Sequence, residues 1–220
     1  MKFRSRLRAS WWRPSNTAAR TRRESFSEGR ARRAEISEPG VVLDAALSFL
    51  EARPRSTAEV RRRLTTGGYR EELITAAIER LVELGMLDDQ AFASQWVESR
   101  DRARPRGERA LRSELAQRGV DRAVVDGVLG ERRDAFDTSQ ERVDEGESGA
   151  AHTPEDAAAW RLLERRGRSM QGVPDVRARR QRAFALLARN GFDSSTATTV
   201  AAAWAARLAG NTEGESLPDD

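Results

Sequence analysis

His152 is the only histidine in the sequence, and cysteine is absent. Disulfides, thiolate metal sites and histidine-centred triads are therefore all but excluded. Asp88 and Asp89 are an adjacent pair with the composition of an acid/base or metal site. They open a helical stretch, where an N-cap followed by a dipole-favoured acid is the ordinary reading. His152 stands beside Thr153-Pro154 and reads as a solvated loop residue. A phosphate-cradling glycine loop, a dinucleotide fingerprint, a nucleophile elbow and a zincin pair are all missing from the sequence. A protein that is not an enzyme and needs no cofactor is expected.

The side chain that offers chemistry is arginine. Lys2 is the only lysine among 39 basic residues, so the rest are guanidinium forks, which bind phosphate and carboxylate and stack on bases. Arg100, Arg102, Arg104 and Arg106 lead into Arg109 and Arg112, and the last three, spaced by three, share one side of a helix. An earlier segment carries Arg53, Arg55, Arg61, Arg62 and Arg63. A later one carries Arg165, Arg166 and Arg168, then Arg177, Arg179, Arg180 and Arg182. Each cluster surrounds the start of a middle helix, so stacking of the segments would align them into a basic stripe suited to a phosphate backbone or an acidic groove. The competing reading is a solvated face with arginines paired to Glu59, Glu108 and Glu114. The candidate contact residues are Arg100, Arg102, Arg104, Arg106, Arg109 and Arg112, with Arg61, Arg62, Arg177 and Arg180.

The elements that must position them recur three times. Val42, Leu43, Ala46, Leu47 and Leu50 form one apolar stripe that ends before Pro54. Ser56-Thr57-Ala58-Glu59 is a capping box that starts a second helix, closed at Gly67-Gly68. A third helix carries Leu73, Ile74, Ala77, Ile78, Leu81, Val82 and Leu84 up to Gly85. The plan repeats: Leu64, Leu115 and Leu187 each stand four residues before Gly68, Gly119 and Gly191, and an apolar residue follows each glycine. Asp88 is the expected N-cap of the second unit's first helix, with Phe92, Trp96 and Val97 on its buried face. Thr153-Pro154 opens the third unit. Strand periodicity is missing, so the fold class is all-α, an elongated array of three tandem three-helix repeats. Trp96, Trp160 and Trp204 are read as core residues.

Charge divides the 220 residues further. The net +4 resolves into +7 over 1–40, +1 over 41–133, −5 over 134–153, +5 over 154–208 and −4 over 209–220. Residues 1–40, without sustained periodicity, are expected to be a disordered basic arm in which Trp11-Trp12 is the one apolar spot. The rest reads as repeat 1 over 41–86, repeat 2 over 87–133, an acidic flexible linker over 134–153, repeat 3 over 154–208 and an acidic tail over 209–220. Mean hydropathy of −0.70 and 34% charged residues argue against one deep core. No apolar run of membrane-spanning length occurs and the start lacks a secretory stretch, so a cytoplasmic protein without membrane contact is expected. The polar ends of the array favour a monomer.

Several motifs resemble one family in the same order. They are Ala46-Leu47 through Leu50, Pro54-Arg55-Ser56 through Glu59-Val60 to Leu64, and Leu84-Gly85-Met86-Leu87-Asp88-Asp89 through Phe92-Ala93 to Trp96-Val97 and Arg100. The stretch continues with Arg106-Gly107 through Leu111 and Glu114-Leu115 to Arg118-Gly119-Val120. It resembles RecX, the bacterial modulator of the RecA recombinase, closely over about residues 43–133. Ala157 to Leu208 can supply the family's third repeat, whereas the forty-residue arm and the long acidic linker depart from its usual pattern. The resemblance implies a regulator that binds RecA, lies along its nucleoprotein filament, touches single- and double-stranded DNA weakly, and restrains RecA's ATPase, strand-exchange and coprotease activities. Repeated basic clusters on an elongated body would add small contacts into avidity. The alternative is a stand-alone helical nucleic-acid-binding module. Its weakness is the helix over 71–84, where Glu71, Glu72, Glu79 and Glu83 face a single Arg80.

Overall fold

The computed structural model describes residues 25–140, 153–173 and 175–213. All regular structure among them is helical. Helix α1 (Phe26–Ala34) precedes α2 (Pro39–Leu50), α3 (Thr57–Gly67) and α4 (Glu71–Glu83) of the first repeat. The second repeat is α5 (Asp89–Ala103), α6 (Glu108–Gln117) and α7 (Arg122–Gln140). The third is α8 (Pro154–Arg166), the single turn α9 (Arg168–Gln171), α10 (Val176–Arg189) and α11 (Ser194–Glu213).

Local chemistry starts and stops these helices where the sequence places the signals. Ser56 Oγ accepts from the Glu59 amide while Glu59 reaches back to the Ser56 amide, both halves of a capping box. Asp88 Oδ1 accepts from the amides of Gln90 and Ala91, and Thr153 Oγ1 from that of Asp156. Gly119 and Gly191, which close α6 and α10, have φ of +76° and +83°, left-handed values that glycine adopts without strain.

Each repeat buries its own core. Val42, Ala46, Val60, Leu64, Ile74, Ala77, Ile78, Leu81 and Leu87 form the first. Phe92, Val97, Leu111, Leu115, Val120, Val125, Val128 and Leu129 build the second, and Trp160, Leu163, Leu187, Phe192, Val200 and Trp204 dominate the third. Trp160 and Trp204 are buried as expected, but Trp96 is only half-buried at the edge of the second core. Val82 and Leu84, expected on the apolar stripe of α4, are each 50% exposed.

Neighbouring repeats dock by one rule: the end of a middle helix rests on the start of the preceding middle helix. Ser56, before α3, donates its hydroxyl to the Arg118 carbonyl at the end of α6 (2.6 Å). A methyl on Gly119 would lie 2.4 Å from Ala58 Cβ. In the next junction the Gly107 amide, before α6, donates to the Asn190 carbonyl at the end of α10 (3.1 Å), and a methyl on Gly191 would collide with Ala110. Asp101 and Arg132 pair bidentately at 2.9 Å, and Arg132 reaches the Pro154 carbonyl, tying α5 and α7 to the start of α8. Among the described residues, hydrogen bonds and ion pairs between repeats join neighbours only, as an array requires.

Several expected boundaries move. Residues 25–40, assigned to the disordered arm, are largely helical: a Ser25–Glu28 capping box starts α1, Arg33 donates to the Gly67 carbonyl (3.0 Å), and α2 begins at Pro39. Residues 134–140, assigned to the linker, continue α7, because nothing there stops a helix and the hydroxyls of Thr138 and Ser139 donate back to carbonyls one turn earlier. Helix α11 likewise runs past 208 into the expected tail. Trp11-Trp12, the linker over 141–152 with His152, and the tail over 214–220 lie outside the described residues.

Candidate partner-binding surface

Asp88 caps its own helix, whereas Asp89 accepts from the Thr57 amide of α3 (2.8 Å). Both carboxylates satisfy helix N-termini, one in each repeat. Among the described residues no group of three or more His, Cys, Asp or Glu is placed to hold a metal, and no helix is long and apolar enough to cross a membrane.

The candidate arginines divide into two populations. Arg61 and Arg112, equivalent in their repeats, both turn toward the third helix of their own unit. Arg61 pairs with Glu71 and donates to Thr75 Oγ1 (3.2 Å), while Arg112 reaches Asp126 (3.1 Å) and Glu108 (3.1 Å). Arg100 pairs with Glu114 at 2.6 Å, and Arg106 bonds Asn190 across the second junction with Glu114 at 3.6 Å. These four hold the fold. Arg102 is 78% exposed, with Glu98 at 3.8 Å, and Arg62 and Arg109 are exposed with only carbonyls, Gln117 and Ala188 respectively, as partners across a junction. Arg104, Arg177 and Arg180 are exposed with no side-chain partner among the described residues. Arg106, Arg109 and Arg112 thus do not form one free face: two point at the third repeat and one at α7.

Tertiary contacts also reveal what the spacing does not. Trp96 lies between two guanidinia, Arg100 at 4.3 Å and Arg118 at 3.7 Å from the ring centre, while its Nε1 donates to Glu114 (2.9 Å). Arg179, drawn from a basic cluster, is 5% exposed and donates to the carbonyls of Val173 and Ala205. Glu108 is held below the ordinary carboxylate range: burial pulls it upward, and hydrogen bonds and charge from Arg133 and Arg112 outweigh that pull. Glu155, which accepts from the Glu108 amide across the second junction (3.1 Å), is pushed up, chiefly by burial.

The arrangement defines a class: a helical-repeat protein that presents a long, arginine-studded surface made of similar units. Comparison with known proteins gives the family. The pattern for the first three-helix domain of RecX matches residues 43–81 and that for the second matches residues 88–129. The regulatory protein RecX of Mycolicibacterium vanbaalenii is 33% identical over 161 residues, 71% of this chain and 78% of that protein. That of Thermobifida fusca is 35% identical over 156 residues, 69% and 71% of the two chains. The crystal structure of RecX from Lactobacillus salivarius superposes with a TM-score of 0.59 at 18% identity, covering 74% of this chain and 93% of that one. A second RecX crystal structure gives 0.55 at 19% identity, covering 80% and 72%. The chain belongs to the RecX family of regulatory proteins.

Proposed function

We propose that this chain is a non-enzymatic regulator of RecA. It binds RecA and its nucleoprotein filament in the cytoplasm as a monomer, contacts single- and double-stranded DNA weakly, and chiefly inhibits ATP hydrolysis, strand exchange and coprotease activity in recombination, repair and the SOS response. The observation that carries this reading is family membership across both matched three-helix units. The surface supports it: exposed arginines recur on similar units, so one molecule can span several repeating subunits of a filament and gain avidity from weak contacts.

The contact set within this reading is Arg102, Arg104 and Arg109, which are exposed, with exposed Arg62, Arg177 and Arg180 on the flanking repeats. The test is RecA's DNA-dependent ATP hydrolysis on single-stranded DNA, with substoichiometric amounts of this protein. Inhibition at far less than one molecule per RecA, weakened in an Arg102→Ala/Arg104→Ala/Arg109→Ala variant with unchanged helicity, is expected. Hydrolysis unaffected by the wild-type protein would end the proposal.

A further inference from the structure

The two junctions between repeats are built alike, and one difference between them opens a hollow. Ala52-Arg53-Pro54-Arg55 leads into α3 as Ala103-Arg104-Pro105-Arg106 leads into α6. Arg100 and Arg165 both stand twelve positions after the N-caps of their helices, Asp88 and Thr153. Glu114 and Leu186 both stand five positions before the left-handed glycine that ends their helix. In the first junction Glu114 supplies the carboxylate: Arg100 pairs with it at 2.6 Å, and the Trp96 indole lies against both. In the second junction leucine replaces that glutamate, and Arg161 stands at the position equivalent to Trp96, turned to Asp101 (3.6 Å). What remains is a hollow of about 250 Å³ whose rim carries Arg104, Arg106, Arg165 and Arg166 over a floor that includes Leu162 and Leu186.

We infer that this hollow is a binding site for a backbone phosphate of single-stranded nucleic acid, which takes the place that the Glu114 carboxylate holds in the first junction. Arg165 has only the Ala103 carbonyl (3.0 Å), and Arg104 and Arg166 have no side-chain partner among the described residues. Arg106 Nε is buried without a hydrogen-bond partner, with Glu114 Oε1 at 3.6 Å. No acid lines the hollow, and Glu114, which Arg106 approaches, is already shared by Arg100 and Arg106. Guanidinium forks match phosphate oxygens in pairs, and the apolar floor suits the sugar carbons that flank them. A polyanion fits better than a single acidic side chain because the cations continue: exposed Arg109 donates to the Ala188 carbonyl, next to exposed Arg189. The inference rests on the reading that the chain works on a nucleoprotein filament, and it names where the nucleic acid would sit.

The test is the fluorescence anisotropy of a labelled oligothymidylate titrated with full-length protein across a salt series. Arg104→Gln/Arg166→Gln is compared with Arg122→Gln, on a residue 91% exposed that does not line the hollow. The double variant is expected to bind about tenfold more weakly, as for loss of charge-assisted hydrogen bonds. Its slope of log affinity against log salt should be shallower by about 0.7, since the hollow holds one backbone phosphate and each single-strand phosphate contact contributes about 0.7. Leu186→Glu, which places a carboxylate where the first junction has one, should weaken binding similarly while the melting curve reports that the array is intact. Unchanged affinity and slope in both variants would overturn the site, as would a wild-type protein that does not bind the oligonucleotide. Dependence on these arginines for a polyglutamate peptide but not for the oligonucleotide would also overturn it and assign the hollow to an acidic protein segment. RecA ATP hydrolysis measured with the same proteins separates the two ideas: a wild type without effect sinks the regulator, whatever the titrations give.

Discussion

The hydroxyl of Ser56 accepts the Glu59 amide and donates to the Arg118 carbonyl at 2.6 Å, so a fully buried side chain caps a helix of one repeat and holds the end of a helix in the next. Ser56→Ala removes both bonds and leaves the half-buried Arg118 carbonyl without this donor. A loss of about 1 to 3 kcal/mol is expected. Chemical denaturation measures it, and an unchanged midpoint would mean that the junction does not depend on this bond.

The glycines allow docking to be separated from turn geometry. Gly85 has φ of +67° and nothing within 4 Å of an added methyl, while Gly119 has φ of +76° and Ala58 Cβ at 2.4 Å from one. Alanine at Gly85 should cost about 1 kcal/mol for the left-handed backbone alone. At Gly119 about 1 to 3 kcal/mol more is expected from overpacking of the junction. Equal melting shifts in the two variants would show that the repeats do not pack where α6 meets α3.

Trp96 is stabilised through its polar tip and ring faces as well as its burial. Trp96→Phe keeps much of the apolar contact but loses the 2.9 Å bond to Glu114 and weakens the stack with Arg100 and Arg118. Destabilisation of about 1 to 2 kcal/mol follows from one charge-assisted bond and reduced cation–π attraction. A phenylalanine variant as stable as the wild type would assign Trp96 to apolar packing only.

Acid should act on the array in two opposite ways. Glu108 is held low against burial by Arg133 and Arg112, and Asp193 is held low first by the Ser195 hydroxyl, with burial opposing. Their stabilising contributions are present above the unfolded carboxylate values near pH 4 and are lost as pH falls through the lower folded values. Asp193→Asn should therefore flatten the acid limb of a melting-temperature profile. Glu155 is pushed up by burial, so its contribution is present below about pH 4 and lost as pH rises through its higher folded value. Glu155→Gln, which can still accept from the Glu108 amide, should melt higher at pH 7 and no differently below pH 4. The reverse pattern would refute the assignment.

Much of the fold was legible in the residues themselves. The Ser56–Glu59 box, the Asp88 cap, Thr153-Pro154 and the three glycine-ended middle helices are signals complete within a few positions, and each appears in the structure where it is read. Helix α1 was equally legible, since Ser25 and Glu28 form the same box as Ser56 and Glu59, but the surrounding arginine and serine composition masked it. Asp89 shows the boundary of such reading: its place in a first turn is local, whereas its bond to Thr57 comes from the neighbouring repeat.

The candidate surface was legible as composition and not as geometry. The sequence by itself determined an all-helical chain, its three units, their caps and the recurrence of arginine beside each middle helix, because these depend on contacts within about a turn of the chain. Only the tertiary structure decided which arginines are spent on the fold: Arg112 meets Asp126 fourteen positions away, Arg106 meets Asn190 eighty-four away, and Arg179 is buried against backbone carbonyls. A long guanidinium side chain reaches whatever docking brings near it, so its partner is set by how the repeats stack, which no local spacing encodes.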